Sequence, residues 1–162
     1  MQHIKNLTET QISNIPLAGY ISIIHRTHMM HLNHEMKDLN ITAGQFPFLM
    51  ELYRKEGITQ DDMAVHFHID KGTVARALKK MEDNEIIYRQ IDPKNRRRYL
   101  IFLTQKGKKA VCKIKDIDKE WENRVLDGLS NSKREELLRI LKGLAVKSMK
   151  NARENGVNYH EC

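Results

Sequence analysis

Residues 70–107 read DKGTVARALKKMEDNEIIYRQIDPKNRRRYLIFLTQKG, and a change of period at Asn84 decides the architecture. Up to that point Val74, Ala77, Leu78 and Met81 recur at helical spacing as an inward stripe, with Asp70 placed to cap the helix. Beyond it the pattern turns to strands. Ile86, Ile87 and Ile91 form one apolar run and Tyr99, Ile101 and Leu103 a second, rich in β-formers. The segment between them, Asp92-Pro93-Lys94-Asn95-Arg96-Arg97-Arg98, is turn-rich and carries four positive charges. This is a basic helix followed by a hairpin with a cationic tip.

Working upstream, Thr59 caps a short helix carrying Met63, Ala64 and Phe67, and only His68 and Ile69 precede Asp70. Two short helices joined by so tight a turn, the second one basic, make a helix-turn-helix. The hairpin is its wing. Before it, Thr42 and Gln45 have capping-box spacing, opening a helix with Phe46, Leu49, Leu52 and Tyr53 as its core face and Gly57 at its close. A first helix starts at Pro16, whose missing N–H costs nothing in an opening turn. Leu17, Ile21 and Ile24 share a face, while Tyr20, Ile23, Met29, Met30, Leu32 and Met36 add apolar surface on others. Such a helix needs cover on several sides, which points to a partner helix from another subunit.

Downstream, Thr104 caps a helix with Val111, Ile114, Ile117, Trp121 and Val125 at steps of three and four, and Gly128 ends it. Ser132 and Glu135 have the spacing of another capping box, followed by Leu137, Leu138, Leu141, Leu144, Ala145 and Met149 up to Gly156. The chain is mainly α with a small β-hairpin wing. It divides into an arm (1–14), a platform helix (15–40), a winged helix-turn-helix (41–103) and C-terminal helices with a tail (104–162).

Charge follows this division. The 162 residues carry a net charge of +7. Residues 70–109 hold twelve basic side chains against five acidic ones, so one quarter of the chain carries the whole excess. A basic block confined to part of a folded region is the electrostatic footprint of a nucleic-acid surface.

The remaining spacings exclude a good deal. With 40% apolar and 30% charged residues, composition is that of an ordinary globular protein. No apolar run approaches the length of a membrane span, and the N-terminus lacks a secretory pattern, so the cytoplasm is the expected compartment. No two of the eight glycines lie closer than thirteen positions, which excludes the usual glycine-rich phosphate loops. Cys112 and Cys162 are fifty apart, giving neither a zinc cluster nor a disulfide framework. Cys112 falls in a helical pattern and is expected to be a small core residue. No nucleophile elbow or HExxH is present. An enzyme is not expected, nor a cofactor.

The histidines His25, His28, His31 and His34 recur every third residue, with Glu35 one turn beyond His31. His28, His31 and Glu35 could share a face, and a metal-responsive or metal-dependent protein is one alternative reading. Spacing three drifts about 60° per step on a helix, so all four cannot converge. Ordinary packing or exposure is the expectation, with no metal site.

Together these words resemble the MarR family of winged helix-turn-helix regulators, from about Pro16 to about Met149. The sharpest stretch is the wing, where the family writes Asp-x-Arg and then, after a short apolar strand, Leu-Thr-x-x-Gly. Here it reads Asn95-Arg96-Arg97 followed by Leu103-Thr104-Gln105-Lys106-Gly107. Asp70-Lys71-Gly72-Thr73-Val74-Ala75-Arg76 and Ile86-Ile87-Tyr88-Arg89 resemble the recognition helix and the start of the first wing strand. Two positions depart from the pattern. Asn95 replaces the usual Asp, which removes an ion pair but keeps a hydrogen-bond acceptor. Glu85 replaces the usual helix-ending glycine, so Asn84 is expected to take the left-handed conformation or the turn to differ.

The resemblance implies a homodimer on double-stranded DNA, with a pseudo-palindromic operator and repression relieved by a small aromatic acid or phenol. Off the inward stripe of the recognition helix, Arg76 and Thr73 are the expected base readers. Arginine can grip guanine in two places and threonine can meet a thymine methyl. Lys71, Lys79 and Lys80 also lie off the inward stripe, the last two facing phosphate or solvent, and Thr59 and Gln60 are placed to donate to backbone phosphate. Arg96, Arg97 and Arg98 resemble the family's minor-groove probe, with Arg97 in register. For the effector, Arg26 is the cation offered to a carboxylate, with His28, Met29 and Met30 as lining; a structural salt bridge is the competing role for Arg26. A peroxide sensor is disfavoured because the first helix has no cysteine. A sequence-neutral architectural DNA protein of the same fold is the other alternative.

Overall fold

The computed structural model describes residues 12–154, and the proposed arm is therefore seen only at its end, where the Tyr20 hydroxyl donates to the Ile12 carbonyl at 2.8 Å. Gly156, expected to end the last helix, and Cys162 lie outside the described residues. Helix α1 spans Leu17–Glu35 with Pro16 as its N-cap. Two short 3-10 turns follow, Lys37–Leu39 and Ala43–Gln45, before α2 at Phe46–Arg54. Helices α3 (Gln60–Phe67) and α4 (Lys71–Asp83) form the helix-turn-helix. The wing is an antiparallel pair, β1 (Ile87–Asp92) and β2 (Asn95–Leu103). Two long helices complete the chain, α5 (Gln105–Val125) and α6 (Asn131–Glu154).

Three caps fix the register of the winged domain. The Asp62 amide donates to the Thr59 hydroxyl at 3.1 Å, the Thr73 amide to Asp70 Oδ1 at 2.8 Å, and the Gly107 amide to the Thr104 hydroxyl at 3.0 Å. Each satisfies one amide that a helix start would leave unpaired, a contribution of about 1 kcal/mol. The Thr42 amide likewise donates to Gln45 Oε1 at 2.8 Å, but this box opens a 3-10 turn, and α2 begins one residue later.

Leu49, Leu52, Met63, Leu78, Met81 and Ile114 are fully buried, so α2, α3, α4 and α5 share one core with the base of the wing at Ile87 and Ile101. Burying a side chain of this kind contributes about 1.5–3 kcal/mol. Of the expected α2 face, Leu49 and Leu52 are buried and Phe46 packs against the core, and only Tyr53 departs. Phe48 is buried and Tyr53 is exposed, because the 3-10 turn rotates the face that α2 presents. Cys112 is also exposed: Val111 and Ile114 take the buried face of α5, and Cys112 points a quarter-turn away. Val125 is exposed too, since α5 runs on past the winged domain.

The end of α4 corrects one expectation with a physical reason. Asn84 is right-handed at φ −86°, and Glu85 takes the left-handed conformation at φ +58°. The Ile86 amide donates to the Met81 carbonyl and the Glu85 amide to that of Glu82, each at 2.9 Å. That pairing is a Schellman closure, which places its left-handed residue one position after the cap. The side chain of Asn84 is used elsewhere, donating to the Asn40 carbonyl at 2.8 Å. At the other end of the molecule α6 is capped by Ser130, not Ser132: the Lys133 amide reaches the Ser130 hydroxyl at 3.4 Å and the Arg134 amide its carbonyl at 3.0 Å.

In the wing, Ile87 pairs with Leu103 and the register holds to Ile91 opposite Tyr99, after which Asp92 faces Asn95. Arg96, Arg97 and Arg98 thus belong to β2, not to a loop, but no residue of β1 stands opposite them. The turn itself is only Pro93-Lys94. Ile101 also bridges to Ile58, which ties the wing to the link between α2 and α3.

Candidate nucleic-acid interface

The inward stripe of α4 leaves Lys71, Arg76, Lys79 and Lys80 exposed and Thr73 half-buried, all on the side away from the core. Near the N-terminus of α4, Arg76 Nη2 donates to the Thr73 hydroxyl at 2.8 Å, so the two expected base readers sit as a joined pair. Hydrogen bonding from Thr73, with smaller help from Arg76, holds the Asp70 carboxyl below the usual carboxylate range. Lys71 pairs with Asp61 at 2.9 Å and Gln60 donates to the Lys71 carbonyl at 3.4 Å, which locks the start of α4 onto α3. Lys79 is paired with Asp83 one turn on, a partner that raises its pKa. Lys80 has no carboxylate partner among the described residues. Of the two lysines assigned to phosphate or solvent, Lys80 is the one left available.

Thr59 does not fit the phosphate role expected of it. It is only 5% exposed, and its hydroxyl donates to Asp62 Oδ2 at 2.7 Å. These bonds, with the Arg98 charge adding, hold the Asp62 carboxyl below its ordinary range against the opposing effect of burial. Capping takes all that the Thr59 side chain has to offer.

The wing arginines Arg96, Arg97 and Arg98 are all exposed. Arg98 lies 3.8 Å from Asp62, an exposed pair that braces the wing on α3. Arg96 and Arg97 have no carboxylate partner among the described residues. Asn95 keeps the acceptor role anticipated from the sequence, though toward the Arg97 amide (3.1 Å) and not its guanidinium. A cleft of about 160 Å³ between α3 and the wing is lined by Thr59, Gln60, Asp61, Arg89, Arg97 and Arg98, with Tyr99 and Ile101 behind. It is too small for a drug-sized ligand. Arg89 is the cation that sequence reasoning missed as a site residue; its Nε lies 3.2 Å from Glu82 Oε2, joining β1 to α4. Its signal was present in the basic block, but a strand position between Tyr88 and Gln90 gives no hint of which face it takes.

The effector residues proposed on α1 are not brought together within one chain. Arg26 is exposed and donates to the Ser22 hydroxyl at 3.3 Å, and Met30 is exposed one turn beyond it. His28 faces α5 instead, 2.7 Å from Asp118 and against the Trp121 ring at 4.4 Å, while Met29 packs on the core. This separation follows from helix geometry, since residues 26 and 28 point to nearly opposite sides. The histidine row is likewise dispersed. His25 and His34 are exposed, His28 is paired with Asp118, and the buried Nε2 of His31 has no partner. Among the described residues no three His, Cys, Asp or Glu side chains are grouped as a metal would need, and no helix is long and apolar enough to cross a membrane.

Relatives place this arrangement. A sequence model of the MarR family matches residues 41–99, which is the winged helix-turn-helix almost to the end of the wing. The HTH-type transcriptional regulator YybA of Bacillus subtilis strain 168 is 32% identical over 109 residues, covering 67% of this chain and 73% of its own. A MarR transcriptional regulator from Methanosarcina mazei Go1 superposes with a TM-score of 0.78 at 36% identity, covering 83% of this chain and 96% of that one. A MarR family regulator from Listeria monocytogenes, solved in complex with a 26mer DNA, superposes with a TM-score of 0.74 at 27% identity, covering 88% and 92% of the two chains. The Thr59 and Asp70 caps, the recognition helix and most of the wing fall within the matched region, and these relatives are regulators rather than enzymes. The chain belongs to the MarR family of winged helix-turn-helix transcriptional regulators.

Proposed function

We propose that this chain is a sequence-specific DNA-binding regulator that acts as a homodimer on a pseudo-palindromic operator and represses until a small aromatic acid or phenol releases it. The observation that carries the DNA reading is that Arg76 and Lys80 of α4 and Arg96 and Arg97 of the wing are all exposed and none forms an ion pair among the described residues. The Thr73–Arg76 pair enters the major groove and reads base edges, while Arg97 probes the flanking minor groove. Gln60 and Lys80 meet phosphate. That the Listeria relative was solved in complex with DNA supports DNA as the partner.

Dimerisation is supported by what a single chain leaves uncovered. Leu17, Ile21 and Ile24 on α1, and Leu138, Leu141, Leu144 and Met149 on α6, are each at least 40% exposed. Exposed apolar faces of this kind mark an interface. A two-fold axis through residues 15–40 and 104–162 sets the two recognition helices about one DNA turn apart, with half-site centres about 10–10.5 bp from each other. The effector acts where these helices meet the winged domain, by favouring a spacing the operator cannot accept.

Footprinting on genomic fragments, with sedimentation of the protein alone, tests this reading. Discrete protected palindromes and a dimer are expected. Uniform coverage would make it an architectural DNA protein, and a monomer that still binds specifically would remove the two-fold mechanism.

A further inference from the structure

A cavity of about 540 Å³ lies where three parts of the chain converge: the α1–α2 linker at Asp38, Leu39 and Asn40, the base of the wing at Ile86, and the opening turns of α5. That volume suits a small organic ligand. From α5 it receives Lys106, Lys109 and Lys113, which at this spacing share one helix face, with Ala110 between them. Ile86 and Ala110 are buried and with Leu39 give the cavity an apolar floor.

Neighbouring lysines on α5 are satisfied. Lys108 pairs with Glu56 at 3.0 Å, Lys115 sits over the Tyr53 ring at 5.0 Å, and Lys106 is 3.4 Å from Glu85. Lys109 and Lys113 are different. Both are exposed toward the cavity and neither has a carboxylate partner among the described residues, while Asp38 is the one acidic side chain in the lining. Two uncompensated ammonium groups, one helical turn apart above an apolar floor, are complementary to a flat or compact body bearing two negative groups.

We propose that this cavity binds a compact organic dianion, one anionic group on Lys109 and the other on Lys113, with its apolar body on Leu39, Ile86 and Ala110. The position gives such a ligand purchase on the recognition helix. Ile86 closes α4 through its amide bond to Met81, and Asn40 accepts the hydrogen bond from Asn84 at the same helix end. The consequence for DNA rests on the effector control proposed above; the binding itself does not.

Calorimetric titration of the full chain without DNA tests the site, using phthalate as the dianion, benzoate as the monoanion and inorganic phosphate as the bare anion. Phthalate is expected to bind saturably and at least tenfold more tightly than benzoate or phosphate. The K109Q/K113Q variant is expected to lose at least tenfold in phthalate affinity, with K119Q, on the same helix outside the cavity, unchanged. The thermal transition of each variant reports whether it is folded, and K109Q and K113Q singly serve if the double variant is not. Absence of phthalate binding, equal affinity for benzoate, or an equal loss in K119Q overturns the proposal. Phthalate binding that leaves operator affinity unchanged keeps the site and counts against the effector reading alone.

Discussion

Replacing Gly107 with alanine places a Cβ 2.1 Å from the Ile86 carbonyl oxygen, with the Ile86 carbonyl carbon and Leu103 Cδ2 each at 3.2 Å. A carbon and a carbonyl oxygen settle at about 3.3 Å or more, so about 1.2 Å has to be recovered. The obstacle is backbone, and it is held from several directions. Ile86 O accepts from the Thr104 amide at 3.0 Å and from its hydroxyl at 3.2 Å, and the Ile86 amide closes α4. Relief therefore means lifting the first turn of α5, at the cost of about 1 kcal/mol for a strained hydrogen bond. Overpacking against Ile86 and Leu103 costs about 1–3 kcal/mol more. The expected loss is about 3 kcal/mol, read as a lower urea midpoint with an unchanged slope at fixed protomer concentration. Gly44, whose added Cβ meets nothing within 4 Å, provides the control, and G44A is expected within about 0.5 kcal/mol of the parent. A G107A protein as stable as the parent would refute the close-approach argument.

Four further outcomes follow from the same geometry. Glu85→Gly relieves left-handed strain of about 1–2 kcal/mol against a glycine entropy cost of about 0.5–1, so a small gain in stability is expected, whereas Glu85→Ala keeps the strain and gains nothing; denaturant titration separates the two. Arg97→Ala is expected to weaken operator binding by about 1–3 kcal/mol, and Arg98→Ala by less because Asp62 already holds that side chain, as measured by fluorescence anisotropy at fixed salt. Asp62 and Asp70 both have depressed folded-state pKa values, so their stabilising contributions are full above the ordinary carboxylate pKa of about 4 and vanish as pH falls through the lower folded values. Urea midpoints between about pH 5 and 2 are expected to fall less steeply in D62N/D70N than in the parent. Leu141→Arg with Leu144→Arg is expected to give a helical monomer without operator binding, by sedimentation and footprinting.

What could be read from sequence was whatever depends on neighbours three or four positions away. Thr59, Asp70 and Thr104 cap their helices because a side-chain oxygen and an amide three residues on meet by local geometry alone. The same locality explains the winged helix-turn-helix. Errors arose where a distant surface decides. Glu85 is left-handed because Ile86 must turn back onto Met81 and pass beneath Gly107, which no local propensity of glutamate foretells. Ser130 caps α6 in place of Ser132 because the helix begins two residues earlier than the Ser132–Glu135 spacing implies. Val111 lies on the α5 stripe at steps of three and four and is buried, whereas Cys112, one residue off it, is exposed. Arg26 and His28 read as one binding group by proximity in sequence, yet α5 claims His28 through Asp118 and Trp121. Lys109 ends the basic block and Lys113 lies four residues beyond it, and nothing in the sequence reveals which lysines lack carboxylates.

The unopposed arginines of the wing have a bearing on how such a protein can diversify. From Ile91 and Tyr99 inward, the two strands are matched residue for residue, and Ile101 anchors that ladder to Ile58. Outward of that point β2 carries Arg96, Arg97 and Arg98 with nothing across from them. Residues can be gained, lost or exchanged in this stretch without shifting any side chain in the ladder from one face of the sheet to the other. The tip is an unopposed stretch mounted on a fully paired base. A lineage can retune the reach and charge of this tip while the fold that carries it stays untouched.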